Sequence, residues 1–125
     1  MLTDEQIDAA KQRTTYSLPD PVHQHNDCIR IAYEWLDAQK KLKRPSSRPV
    51  ASKHLIENWG GRYVSASDVC VAAELHPDVE GTYPYLNISS RLIEPSTRRL
   101  EGIAEANTHY YRSSHEPEKY NGGAE

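Results

Sequence analysis

The segment HNDCIRIAYEWLDAQKKL, residues 25–42, sets the architecture of the domain because its apolar side chains recur at helical spacing over a long distance. They form a wide apolar face, which is typical of a helix at the centre of a domain. We therefore expect Trp35 and Leu36 to lie in the core. The apolar positions of this segment are Cys28, Ile29, Ile31, Ala32, Tyr33, Trp35, Leu36 and Leu42.

Three shorter helices are predicted around this segment, each with a residue that caps or terminates one end. They cover residues 4–13, 50–59 and 65–75. Thr3 is the expected N-cap residue of the first, Ser65 or Ser67 that of the third, and Gly60-Gly61 terminates the second.

Residues 85–93 fit two structures. Their apolar side chains partly alternate, as in a strand, but Leu86, Ile88 and Leu92 also suit a helix that begins near Pro84. We favour the helix. Residues 98–103 are predicted as one arm of a hairpin or as an ordered extended segment, and residues 108–125, rich in Tyr, His and Ser, as a disordered tail.

Size and composition indicate one small domain, residues 1–107, followed by the flexible tail. The chain has 125 residues, 37% of them hydrophobic, and a mean hydropathy of -0.80. No apolar run approaches the ~20 residues that a membrane span needs. The first six residues lack the basic and then apolar layout of a signal peptide. We therefore expect a cytoplasmic protein with no membrane partner.

Charge is distributed unevenly along the chain. The net charge is -3, but residues 40–62 carry seven basic side chains and one acidic side chain, a net charge of +6 that leaves -9 for the rest. A basic segment on an acidic chain is typical of a nucleic-acid contact. The same charges also suit a solvated helix end and loop, because cations stabilise a helix C-terminus.

Residues 63–103 together resemble the winged-helix version of the helix-turn-helix motif. Ser65-x-x-Asp68-Val69-x-x-Ala72-Ala73-x-Leu75 supplies the first helix, and Ile88-Ser89-Ser90-Arg91-Leu92 supplies the second. Pro95-Ser96 and the run Arg98-Arg99-Leu100-Glu101-Gly102-Ile103 supply the wing. The resemblance implies a mainly α (α+β) fold, a small winged-helix-like helical domain with its core at about 25–103, a short β hairpin and a disordered C-terminal tail.

The resemblance also implies a function, that of a DNA-binding regulator or accessory protein that binds duplex DNA, and a homodimer would suit two half-sites. The small size of the chain, rather than any motif, suggests a phage or plasmid as its origin. The second helix of the motif enters the major groove, so Asn87 is expected to bind adenine and Arg91 guanine. The remaining candidates are expected to contact phosphates or bases. They are Lys40, Lys41, Lys43, Arg44, Arg48, Ser89, Ser90, Arg98 and Arg99.

A second hypothesis is a protein-interaction module, such as an inhibitor or adaptor that docks on a larger host complex. The negative net charge and the many tyrosines favour it. The position of the basic side chains separates the two hypotheses. A shared basic face favours DNA, whereas basic side chains that are scattered and paired with carboxylates favour a protein partner.

Catalysis is not expected, because the chain carries no enzyme signature. His23 and His25 have the chemistry of metal ligands, but no further ligands at a telling spacing complete a site, so we expect neither a metal nor a cofactor. Cys28 and Cys70 lie in apolar helical patterns and are expected to be buried free thiols.

Overall fold

The computed structural model describes residues 1–108 and 116–121. Within them the helices are α1 (Asp4–Arg13), α2 (Asn26–Ala38), α3 (Lys53–Gly60) and α4 (Ala66–Leu75). Strands β1 (Gly81–Thr82) and β2 (Tyr85–Leu86) pair antiparallel, with Gly81 opposite Leu86. Two 3-10 helices cover Thr97–Leu100 and Pro117–Lys119. The described chain is a small α+β domain, as predicted.

The α2 helix supplies the large side chains of the core. It packs mainly against α4 and also contacts α1 and α3. Trp35 and Leu36 are fully buried, which confirms their predicted place. The helix ends at Ala38 rather than near Leu42, because the backbone becomes extended at Gln39.

The α4 helix is the most enclosed element. Every residue from Ser67 to Ala73 is buried, as expected of a helix that packs on all sides. Ser65 starts the helix as predicted: its hydroxyl accepts the Asp68 N–H at 3.1 Å and donates to the Val22 carbonyl at 2.6 Å. The cap therefore also fastens the preceding connection to the helix.

The prediction of a helix over 85–93 is wrong. After β2 the chain continues extended, and Ile88 forms an isolated antiparallel bridge with Lys41. The Leu42 N–H donates to the Asn87 carbonyl at 2.7 Å, and the Ser89 N–H donates to the Lys40 carbonyl at 2.8 Å. These long-range hydrogen bonds satisfy backbone groups that a helix would satisfy locally.

The predicted wing is also absent from this position. Arg98, Arg99 and Leu100 belong to the 3-10 helix Thr97–Leu100, which the Ser96 hydroxyl caps by accepting the Arg98 N–H. The hairpin lies earlier in the chain, at residues 81–86. The resemblance to a winged helix therefore loses the second helix and the wing on which it was based.

Part of the predicted tail packs against the domain. The indole N–H of Trp35 donates to the Tyr120 hydroxyl at 2.9 Å, and the Asn121 N–H donates to the Leu92 carbonyl at 2.7 Å. Residues 116–121 therefore return to the core. The rest of the predicted tail, 109–115 and 122–125, lies outside the described residues.

Both cysteines are buried free thiols, as predicted. Burial raises the pKa of the Cys28 thiol to about 12, so this side chain stays protonated at neutral pH. Within residues 1–108 and 116–121, no helix combines the length and the apolar character needed to cross a membrane.

Candidate nucleic-acid interface

The residues between α2 and α3 form a loop that runs along the extended segment 85–89. Hydrogen bonds hold the loop in place, from Leu42 to Asn87 and from the Ser46 N–H to the Leu86 carbonyl. We use the name basic loop for Lys43, Arg44 and Arg48. All three side chains are exposed, and none forms an ion pair with a residue that the structure describes.

A cleft of about 460 Å³ lies at Lys40, three residues before the basic loop in the sequence. Three separate parts of the chain line it, namely Lys40, the segment 89–93 and Asn121. Lys40 and Arg91 are exposed, and no described carboxylate pairs with either of them. The cleft therefore brings together two cations that are 51 residues apart in the sequence.

Buried hydrogen bonds fix the walls of this cleft. Gln39 is only 3% exposed, and its carboxamide accepts the Ile93 N–H at 2.8 Å and donates to the Ile93 carbonyl at 2.9 Å. The Ser89 hydroxyl accepts the Arg91 N–H at 3.1 Å. Asn121 is held by its backbone bond to Leu92. The lining residues therefore stand on a backbone with satisfied hydrogen bonds.

Lys41 does not have the predicted role. Its ammonium group is partly buried and donates to three carbonyls at the end of α2, those of Leu36, Asp37 and Gln39, at 2.7–2.9 Å. Burial lowers the pKa of Lys41. A cation in this place stabilises the helix C-terminus, so Lys41 is occupied within the chain.

Asn87 is not available to a base either. It is 3% exposed. Its carboxamide accepts the Glu80 N–H at 2.6 Å and donates to the carbonyls of Leu42 and Asp78 at 3.0 Å each. These bonds tie the hairpin to the basic loop, so the predicted contact of Asn87 with adenine is a structural contact instead.

The other residues predicted to contact DNA have different environments in the structure. Arg99 forms ion pairs with Glu34 at 3.1 Å and Asp37 at 2.8 Å, which fasten the 3-10 helix to α2. Arg98 and Ser90 are exposed, and neither lines the cleft. Ser89 and Arg91 do line it. The structure thus unites Lys40, Ser89 and Arg91 beside the basic loop.

Ion pairing separates these cations from most other basic side chains. Outside the predicted set, nearly every described lysine or arginine has a carboxylate neighbour at 2.7–3.9 Å; the paired ones are Lys11, Arg30, Lys53, Arg62 and Lys119. Arg13 is the described exception. Within the predicted set, only Arg99 is paired with a described carboxylate.

Two residues that form or support the cleft carry no signal in the sequence. Asn121 lines the cleft but lies in a segment with the composition of a tail, and Gln39, which holds the cleft residue Ile93, is a position inside the predicted helix. His23, one of the two candidate metal ligands, makes contacts within the chain. It lies 2.8 Å from the buried Asp68 carboxylate and 3.0 Å from the Tyr16 hydroxyl. In the described part of the chain no group of three or more His, Cys, Asp or Glu side chains is placed to hold a metal ion.

No family model matches this chain, and no curated protein or solved structure matches it at a significant level.

Proposed function

We propose that this protein binds duplex DNA through its phosphates, with the basic loop and the cleft residues Lys40 and Arg91 as the contact surface. The observation that supports this function is the pairing pattern. Exposed cations without described carboxylate partners occur at Lys43, Arg44 and Arg48 on one loop and at Lys40 and Arg91 in one cleft, and most other described cations pair with carboxylates inside the chain.

Cations without carboxylate partners gain the most binding free energy from a polyanion. Each lysine or arginine that neutralises a phosphate releases condensed counterions, which drives binding and makes it depend on salt. The remainder of the chain carries a net charge of -9 outside residues 40–62, so repulsion from DNA orients the basic loop towards the duplex.

Asn87 does not recognise DNA bases in this function. Phosphate contacts fix position and supply affinity, but they carry no sequence information directly. We therefore expect similar binding to duplexes of different sequence.

The test is fluorescence anisotropy of a labelled mixed-sequence duplex at low salt. The loop variant Arg44→Gln/Arg48→Gln is compared with the control variant Lys11→Gln/Arg13→Gln, which makes the same change in net charge on α1. We expect wild type and control to bind alike, and the loop variant to bind roughly tenfold or more weakly. Equal weakening in both variants, or no binding by folded wild type, contradicts the proposal.

A second candidate function is docking on a protein partner. Two apolar side chains beside the basic loop are exposed, Leu42 at 42% and Tyr85 at 49%. Apolar and aromatic side chains rimmed by charge are typical of protein interfaces. Retention of a partner by the wild type and its loss on Leu42→Ser/Tyr85→Ser, together with no affinity for DNA, would favour this candidate.

A further inference from the structure

The cleft between Lys40 and Arg91 differs in shape from the basic loop. The side chains of the loop are exposed to solvent, whereas the cleft has walls from three parts of the chain, at Lys40, at 89–93 and at Asn121. A volume of about 460 Å³ lies in the range of small-molecule sites. The space therefore exceeds what a single inorganic ion needs.

The groups that line this cleft are suited to a phosphoryl group. Lys40 and Arg91 supply two positive charges, and no carboxylate lines the cleft among the described residues. The Ser89 hydroxyl accepts the Arg91 N–H, and no described acceptor takes its own proton, so it can donate to a ligand oxygen. The side chain of Asn121 adds an amide donor.

The geometry points to a site for a nucleotide phosphomonoester, with Lys40 and Arg91 on the phosphate and the remaining space occupied by the nucleoside. A monoester carries close to two negative charges at neutral pH, which matches two unpaired cations. The arginine fork also binds phosphate oxygens in a bidentate manner. Resting on the proposed function, we assign this nucleotide to the phosphorylated end of a DNA strand whose duplex lies on the basic loop.

Hydrogen bonds hold the backbone that lines the cleft. The buried Gln39 carboxamide holds Ile93 through two hydrogen bonds, and the Trp35–Tyr120 bond holds the segment that contains Asn121. A backbone held in this way reduces the entropy lost when a ligand binds.

The first test is calorimetric titration of the full chain with deoxyadenosine 5′-monophosphate and with deoxyadenosine, at low salt. We expect the nucleotide to bind and the nucleoside to bind at least tenfold more weakly, since the nucleoside has no phosphate to accept charge-assisted hydrogen bonds. Lys40→Gln and Arg91→Gln should each weaken nucleotide binding about tenfold or more, whereas Arg13→Gln should not. Equal binding of the two ligands, or no binding of either, overturns the site.

Folding is not a confounding factor in this test. Lys40 and Arg91 are exposed and unpaired with described carboxylates, so their glutamine variants should unfold at the same urea concentration as wild type. If Arg91→Gln unfolds at a lower urea concentration than wild type, Arg91→Lys is used in its place. This variant keeps the positive charge but removes the guanidinium fork, and it should retain part of the affinity.

A second test separates the possible sources of the phosphate. Short duplexes with a 5′-phosphate are compared with the same duplexes ending in a 5′-hydroxyl, in wild type and in Lys40→Gln/Arg91→Gln. We expect the phosphate to strengthen binding in wild type and to have no effect in the variant. Equal binding of both duplexes by wild type overturns the strand-end assignment. Nucleotide binding without any duplex binding supports the cleft and overturns the proposed function.

Discussion

Lys40 and Lys41 are neighbours in the chain, but their ammonium groups meet different surroundings. The Lys40 side chain is exposed at the edge of the cleft, and the Lys41 ammonium group donates to three carbonyls at the end of α2. One lysine is therefore free for a ligand, and the other stabilises the fold. Their substitution should separate binding from stability.

We expect Lys41→Met to lower the free energy of unfolding by about 1–3 kcal/mol, because α2 loses charge-assisted hydrogen bonds to its terminal carbonyls. Lys40→Met should leave stability within about 0.5 kcal/mol of wild type, as for other surface substitutions. Urea unfolding followed by circular dichroism measures both. Equal stability of the two variants would contradict the role assigned to Lys41.

The difference between these lysines could not be read from the sequence. The helical pattern continues through Lys41 to Leu42, so both lysines are predicted alike, as phosphate contacts or as part of a solvated helix end. The end of α2 at Ala38 turns the chain back, and only that turn brings the Lys41 side chain under the helix terminus.

At the scale of elements, α1 and α4 follow local signals, whereas α2 ends four residues earlier than predicted and α3 begins three residues later. The α1 helix matches its predicted bounds, because Thr3 and Gln6 form a capping box and Arg13 lies in the last turn. The start of α4 follows from the Ser65 cap. Local patterns were sufficient in these cases because each helix satisfies its own backbone and its cap lies a few residues away.

Local patterns failed at 85–93, where distant residues decide the structure. The partly alternating residues Tyr83, Tyr85, Leu86 and Ile88 agreed with a strand, but the choice depends on pairing with residues 40–46. The buried Asn87 carboxamide also needs partners at Leu42, Asp78 and Glu80. The local sequence does not indicate those partners, and tertiary contacts override a weak secondary-structure propensity.

Asp37 joins three elements of the fold. Its carboxylate lies 2.8 Å from His76 at the end of α4 and 2.8 Å from Arg99 on the 3-10 helix. The other nitrogen of His76 accepts the Asp78 N–H, so the nitrogen facing Asp37 carries the proton. Burial by itself raises the pKa of Asp37, but the hydrogen bonds from His76 and Arg99 outweigh it and hold the pKa below its ordinary value of 3.8.

A pKa lowered by folding means that ionised Asp37 stabilises the native state above its unfolded pKa. This stability should be lost as the pH falls below about 4 and through the lower pKa of the folded state. Asp37→Asn should therefore be less stable than wild type at pH 7, and should lose less further stability on acidification. Urea midpoints at several pH values from about 6 downwards measure this, with exposed Asp20→Asn as the control. A parallel loss of stability in wild type and Asp37→Asn would contradict the prediction.

At the scale of the whole molecule, the core is closed by a segment near the end of the sequence. Trp35 is fully buried, and its indole N–H donates to Tyr120, 85 residues later. The same segment places Asn121 at the cleft. The amino-acid composition of the segment does not indicate this contact, because the surrounding residues are polar and the segment is short.

Tyr120→Phe should lower the free energy of unfolding by about 1–3 kcal/mol, because it leaves a buried indole N–H without its acceptor. Tyr85→Phe is the matched control, since that side chain is half exposed and no described residue bonds its hydroxyl. Urea unfolding followed by tryptophan fluorescence compares the two variants. A Tyr120→Phe protein as stable as Tyr85→Phe would show that the contact does not hold the segment.

The distribution of charge over the molecule carries the functional proposal, and the salt dependence of DNA binding tests it most directly. The logarithm of the binding constant should fall linearly with the logarithm of salt concentration, with a slope of about -0.9 per neutralised phosphate. Removing two loop cations in Arg44→Gln/Arg48→Gln should make the slope shallower by about 1.8, whereas Lys11→Gln/Arg13→Gln should leave it unchanged. A wild-type slope near zero, or the same slope in both double variants, would contradict phosphate binding by the basic loop.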